Sequence, residues 1–275
     1  MTKQLEYLCD RDYLKTRLND PQTVIIDCRF QLSDPSWGET EYQKSHVPGA
    51  FYLNLDRDLS SPIQKHGGRH PLPDISKLAE KFSQLGVVKH ETQVIVYDNS
   101  RFAFASRIWW LLRYLGHDKI ALLDGGWQGW QDADCPVESE IPQARTGNFS
   151  VESLPDWLVD IETLKAVKDR ESIVVVDSRD RDRYEGKREP IDPIAGSVPG
   201  AVNSSWKQIS NENGYLRPLP EQKQLWQDYQ DVQEIIVYCG SGVTACVNLL
   251  SLDLAGFSNT KLYAGGWSDW CSYLV

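Results

Sequence analysis

The 275 residues predict an α/β chain of two tandem domains, each a parallel sheet with helices on both faces. Three observations carry that reading. The chain repeats itself in order; short apolar, β-branched runs recur in each half; and segments of helical periodicity separate them. Val24-Ile25-Ile26-Asp27-Cys28-Arg29 returns as Val174-Val175-Val176-Asp177-Ser178-Arg179, and Val47-Pro48-Gly49-Ala50 as Val198-Pro199-Gly200-Ala201. Arg69-His70-Pro71-Leu72-Pro73 has a cousin in Arg217-Pro218-Leu219-Pro220. Gly125-Gly126-Trp127 with Trp130 returns as Gly265-Gly266-Trp267 with Trp270.

In the first half, residues 24–26, 94–97 and 120–123 are continuous apolar runs, as expected of strands buried on both faces. Phe102, Ala105, Ile108, Trp109, Leu112 and Leu115 then recur at helical spacing, with Gly116 as a stop. The second half predicts strands at 173–176, 235–238 and 261–263, and a helix over 244–254 that ends before Gly256. The first domain is drawn at 1–141, a Pro-, Gly- and Ser-containing linker at 142–155, and the second domain at 156–275. Strand–helix–strand units with short connections place ligands beyond the carboxyl ends of the strands, where Asp27, Asp98, Asp177 and Cys239 fall.

A net charge of −10 disfavours nucleic acid and anionic membranes as partners, and no segment nears the roughly 20 apolar residues of a membrane span. The charged N-terminus lacks the apolar stretch of a secretory signal. The six cysteines show neither a CxxC pair nor zinc-ligand spacing, so they read as reduced thiols of a cytoplasmic chain with no metal site.

Cys239-Gly240-Ser241-Gly242-Val243-Thr244-Ala245 follows a buried strand directly and leads into a helix. Gly240 and Gly242 allow a turn in which successive amides converge on an anion, and the helix start adds positive potential. A sulfur anion at Cys239 would be stabilised there, with Ser241 and Thr244 as added hydroxyl donors. The equivalent position in the first half is Asp98, which cannot carry sulfur. A cysteine-dependent phosphatase would need an arginine six positions after its cysteine, where this chain has Ala245.

The repeated Asp-x-Arg, VPGA and GGW-x-x-W motifs with the CGSGVTA loop resemble the tandem-domain rhodaneses, over nearly the whole chain. The resemblance implies two rhodanese-like domains: a degenerate first one, with Asp98 in place of the catalytic cysteine, and a second one that supplies Cys239. It implies a ping-pong sulfurtransferase without cofactor. Cys239 would take a sulfane sulfur from a small donor as a persulfide and pass it to cyanide or a thiol, a thioredoxin-like protein among the latter. The neutral Gly240 and Ser241 resemble the 3-mercaptopyruvate branch, with thiosulfate as the other candidate donor. By the same resemblance Ser241 and His46 assist proton movement, Arg183 binds the donor carboxylate, and Gly240, Gly242, Val243 and Thr244 complete the cradle. The chain departs from that branch at Ile191-Asp192-Pro193, where a second clamp arginine is expected, and at Ser197, where a histidine is common. Arg69 and His70 are read equally as site-lining or as exposed loop residues. A protein-to-protein sulfur relay is the alternative to a small-molecule donor.

Overall fold

The apolar runs form two all-parallel sheets in the computed structural model of the chain, which describes residues 7–275. The first sheet contains β1 (Leu8–Cys9), β2 (Thr23–Asp27), β3 (Ala50–Tyr52), β4 (Gln93–Tyr97) and β5 (Ile120–Leu123), in the order β1-β5-β4-β2-β3. Its helices are α1 (Arg11–Arg17), α2 (Trp37–Lys44), α3 (Ile75–Gln84), α4 (Ala105–Tyr114) and α5 (Gly126–Gln131). The second sheet contains β6 (Ile173–Asp177), β7 (Val202–Asn203), β8 (Glu234–Tyr238) and β9 (Thr260–Leu262), in the order β7-β6-β8-β9. With it go α6 (Ile161–Val167), α7 (Arg181–Tyr184), α8 (Leu219–Leu225), α9 (Ala245–Ala255) and α10 (Gly266–Cys271).

The two sheets are the same sheet written twice: β2 pairs with β3 and β4 as β6 pairs with β7 and β8. The outer β1–β5 pairing is reduced in the second unit to a single parallel bridge, Leu158 to Leu262. Corresponding helix starts are capped alike, Asp10 accepting from the Tyr13 amide at 2.7 Å and Asp160 from the Thr163 amide at 2.7 Å. One core gathers Leu14, Ile25, Val47, Ile95, Tyr97, Trp127 and Trp130; the other gathers Leu164, Val175, Val198, Ile236, Tyr238, Trp267 and Trp270, position for position. Val24, Ile26, Val94 and Val96, alternate along their strands, are buried equally deeply, so both faces of the sheet are covered.

Compact packing does not divide the chain at a single point. One unit runs to Ser60, resumes over Pro73–Leu154 and takes in Glu212–Leu216; the other contains Ser61–Leu72, Pro155–Asn211 and Arg217–Val275. The stretch expected to link the domains lies along the first unit: the Gly147 amide donates to the Ser83 carbonyl at 2.7 Å and that of Leu154 to Tyr114 at 3.0 Å. Among the described residues no helix is long and apolar enough to cross a membrane.

Candidate active site

In both units the loop after the central strand carries the distinctive residue. In the first unit Asp98 directly follows β4, and its carboxylate sits in a ring of main-chain donors. Oδ1 accepts from Ser100 N at 2.8 Å and Phe102 N at 3.2 Å; Oδ2 accepts from Phe104 N at 2.8 Å and Ala105 N at 2.9 Å. Burial pushes the Asp98 carboxyl up from its ordinary pKa, while the four amides pull the other way. The loop therefore displays the geometry of an anion cradle, filled by its own side chain.

In the second unit Cys239 holds the same place after β8. Its carbonyl accepts from Trp267 N at 2.8 Å, as that of Asp98 does from Trp127 N at 2.8 Å. The thiol residue is buried, at 2% exposure, as are Ser241 and Val243. Gly242 has φ +74°, and a Cβ there would meet the Ala264 carbonyl oxygen at 2.2 Å, so no other residue fits without rearrangement.

Cations surround this loop. A Cβ built on Gly240 would lie 3.0 Å from Arg69 Nη2 and 3.5 Å from Arg183 Nη2. Arg183 Nη2 donates to Glu189 Oε1 at 2.7 Å and to Asp192 Oδ2 at 3.3 Å, and Arg69 Nη1 pairs with Asp192 Oδ1. Burial and the like charge of Arg183 pull the Arg69 guanidinium below its ordinary pKa. His70 Nδ1 lies 2.7 Å from Ser241 Oγ, and both residues are buried. The segment bearing Arg69 and His70 is pinned to α10: Gly67 N donates to Asp269 Oδ1 at 2.6 Å and Arg69 N to Ser268 Oγ at 3.1 Å. Among the described residues no three His, Cys, Asp or Glu side chains gather to hold a metal ion.

The motifs shared by both halves hold the fold together. Arg29 is buried against Asp27 at 2.7 Å, donates to the Ser45 carbonyl at 2.7 Å, and lies 4.2 Å over the Trp127 ring. Arg179 repeats this with Asp177 at 2.6 Å, the Gly196 carbonyl at 2.6 Å and the Trp267 ring at 5.1 Å. The first valine of each VPGA gives its amide to the tyrosine that ends the central strand, Val47 to Tyr97 at 3.1 Å and Val198 to Tyr238 at 3.0 Å.

Of the residues singled out in the sequence, the structure gathers Cys239, Gly240, Ser241, Gly242, Val243, Thr244 and Arg183 around one loop. His46 lies in the first unit. It is fully buried, stacked on Tyr42 at 4.0 Å, with Nδ1 2.6 Å from the Tyr42 carbonyl and Nε2 3.2 Å from that of Glu140. Both ring nitrogens face main-chain oxygens and the ring has no exposed surface. The histidine beside Ser241 is His70. Sequence reasoning also missed the place of Asp192, noted only as a departure from a pattern.

The model of the rhodanese-like domain matches this chain twice, over residues 10–133 and 160–273. The chain belongs to the rhodanese family. Among its rhodanese relatives is a probable 3-mercaptopyruvate sulfurtransferase of Pseudomonas aeruginosa, 43% identical over 94% of this chain and 92% of that protein. A putative thiosulfate sulfurtransferase of Mycobacterium tuberculosis is 32% identical over 90% of this chain and 87% of its own length. The crystal structure of SseA from Escherichia coli, described as a 3-mercaptopyruvate sulfotransferase with the rhodanese fold, superposes with a TM-score of 0.82 at 30% identity, covering 95% of this chain and 99% of that one. This tandem rhodanese is thus a sulfurtransferase.

Proposed function

We propose that this rhodanese takes sulfur from 3-mercaptopyruvate onto Cys239 and delivers it to a thiol or to cyanide. The observation that carries this reading is the pair of guanidiniums, Arg69 and Arg183, set against Gly240 beside the only loop position at which the two halves exchange a carboxylate for a thiol. Arginine suits a planar carboxylate, and the donors named for the relatives of SseA type carry one. By sequence offset, the amides of Ser241 and Val243 correspond to two of those that bind the Asp98 carboxylate, and would hold the persulfide anion.

In the first half-reaction the Cys239 thiolate attacks the donor sulfur. The S–S bond forms, the donor C–S bond breaks with its electron pair leaving on carbon, and the resulting enolate of pyruvate takes up the proton released from the sulfur. Ser241 and His70, 2.7 Å apart, are the pair through which that proton moves. In the second half-reaction cyanide or an acceptor thiolate attacks the outer sulfur, and the Cys239 thiolate leaves. Arg183 and Arg69 bind the donor; Gly240, Gly242, Val243 and Thr244 shape the cradle.

Mass spectrometry of the protein mixed with 3-mercaptopyruvate should find one added sulfur atom on the peptide bearing Cys239. Cys239→Ser should abolish turnover with both 3-mercaptopyruvate and thiosulfate while the circular dichroism spectrum stays that of the native protein. Retained turnover in that variant would refute the nucleophile, and a kcat/KM larger for thiosulfate than for 3-mercaptopyruvate would refute the donor.

A further inference from the structure

The two cations beside Gly240 are already neutralised. Asp192 reaches both of them: Oδ1 pairs with Arg69 Nη1, and Oδ2 lies 3.3 Å from Arg183 Nη2. Its side chain is almost sealed, at 2% exposure, while Arg69 and Arg183 keep 24% and 16% of theirs in solvent. Each guanidinium thus gives a nitrogen to Asp192 and keeps part of its side chain in solvent. The backbone that carries Asp192 is fastened to Glu189, whose Oε1 accepts from the amides of Ile191 and Asp192, each at 3.1 Å. Glu189 is in turn shared by Arg183 and Arg179, at 2.7 and 3.2 Å, and Arg179 is bound to Asp177. The cluster therefore sets three guanidiniums, Arg69, Arg179 and Arg183, against three carboxylates, Asp177, Glu189 and Asp192. Asp177 and Glu189 brace Arg179; among the described residues only Asp192 pairs with both arginines at the cysteine loop.

We infer that Asp192 is a built-in counter-anion that competes with the donor for Arg69 and Arg183, setting the KM for anionic donors and discriminating against those of higher charge. The inference rests on the reading of Arg69 and Arg183 as the donor-binding pair. With Asp192 ionised the cluster is neutral, and an incoming anion gains only short-range hydrogen bonds. Without that charge the cluster carries one net positive charge, whose attraction scales with the charge of the anion. A carboxylate monoanion such as 3-mercaptopyruvate gains once, a dianion such as thiosulfate about twice. Asp192 would thereby supply at the cations the selectivity that the neutral Gly240 and Ser241 supply in the loop. A residue that merely positions the two arginines would have the opposite effect on KM.

The test is Asp192→Asn, which keeps shape and removes charge, with Asp192→Ala read alongside. The KM for 3-mercaptopyruvate should fall about tenfold, the worth of one competing charge-assisted hydrogen bond. The KM for thiosulfate should fall further, and kcat should move less than either. The KM for an uncharged dithiol acceptor should not change. Calorimetric titration of pyruvate, which needs no turnover, should show about tenfold tighter binding to the Asn variant than to the native protein. An unchanged or raised KM with unchanged or weaker pyruvate binding overturns the proposal, as does an equal gain for monoanion and dianion, or failure of both variants to fold. If native protein acquires no sulfur from 3-mercaptopyruvate, the donor reading fails separately, and pyruvate binding still decides the role of Asp192.

Discussion

Replacing Arg179 by alanine would strand Asp177, which is completely buried, and would take one of two cations from Glu189. Removing one partner of such a pair costs about 3–5 kcal/mol, so the urea midpoint of Arg179→Ala should drop sharply. Four residues on, Arg183→Ala removes a side chain that keeps 16% exposure and leaves Glu189 still bound to Arg179. Its denaturation midpoint should move less, while its KM for 3-mercaptopyruvate rises by the loss of a charge-assisted hydrogen bond, about 1.5–3 kcal/mol or roughly ten- to a hundredfold. A variant pair in which both effects fell on the same residue would contradict this division. The sequence already separated the two arginines, because Arg179 has a counterpart in Arg29 and Arg183 has none. The choice between His46 and His70 was not legible in the same way. Each sits beside a short recurring motif, and only the fold shows which ring meets a serine hydroxyl and which is enclosed by carbonyls.

The turn from α4 into β5 depends on local chemistry. Gly116, expected as a helix stop, takes φ +84° after Leu115, and His117 N closes the turn on the Leu112 carbonyl at 2.9 Å. His117 Nδ1 faces the amide of His90 at 3.3 Å and Nε2 faces the Lys119 carbonyl at 3.2 Å, the arrangement of a neutral ring that accepts on one side and donates on the other. Burial lowers the pKa of His117 from its ordinary value. The unfolded chain therefore binds this proton more readily than the folded one. The contribution of His117 is fully present above the unfolded value of about 6.5 and declines as pH falls through it, by at most about 1.4 kcal/mol per pH unit. Denaturation followed between pH 7.5 and 5 should show that decline in the native protein and a flatter profile in His117→Gln. At this scale the expected strands stand within a residue or so of those observed. The apolar periodicity starts α4 at Phe102, whereas the helix begins at Ala105, because Asp98 draws the amides of Phe102, Phe104 and Ala105 into its own ring. Apolar periodicity continues through that loop and hides the break.

The duplication was visible from the repeated motifs alone, since buried cores must be rebuilt from the same kinds of side chain each time. The reassignment of Ser61–Leu72 to the second unit and of Glu212–Leu216 to the first was not. Neither stretch has strand or helix periodicity, and what fixes the first is a set of polar contacts to α10 with partners about 200 residues away. A fragment comprising residues 156–275 would retain Cys239, Arg183 and the whole second sheet, yet lack Arg69 and His70. Its kcat/KM for 3-mercaptopyruvate should be lower by about a hundredfold or more, in line with loss of a proton-transfer group. Adding a peptide of residues 61–72 should restore part of it, and full activity in the fragment alone would show that neither side chain takes part.

The exchange of Ser61–Leu72 also bears on inheritance. The two copies are complementary, because a stretch encoded in the one with Asp98 packs with the one that carries Cys239 and sets His70 against Ser241. Recombination that separated the copies would release a second copy without Arg69 and His70, so the fusion behaves as a ratchet.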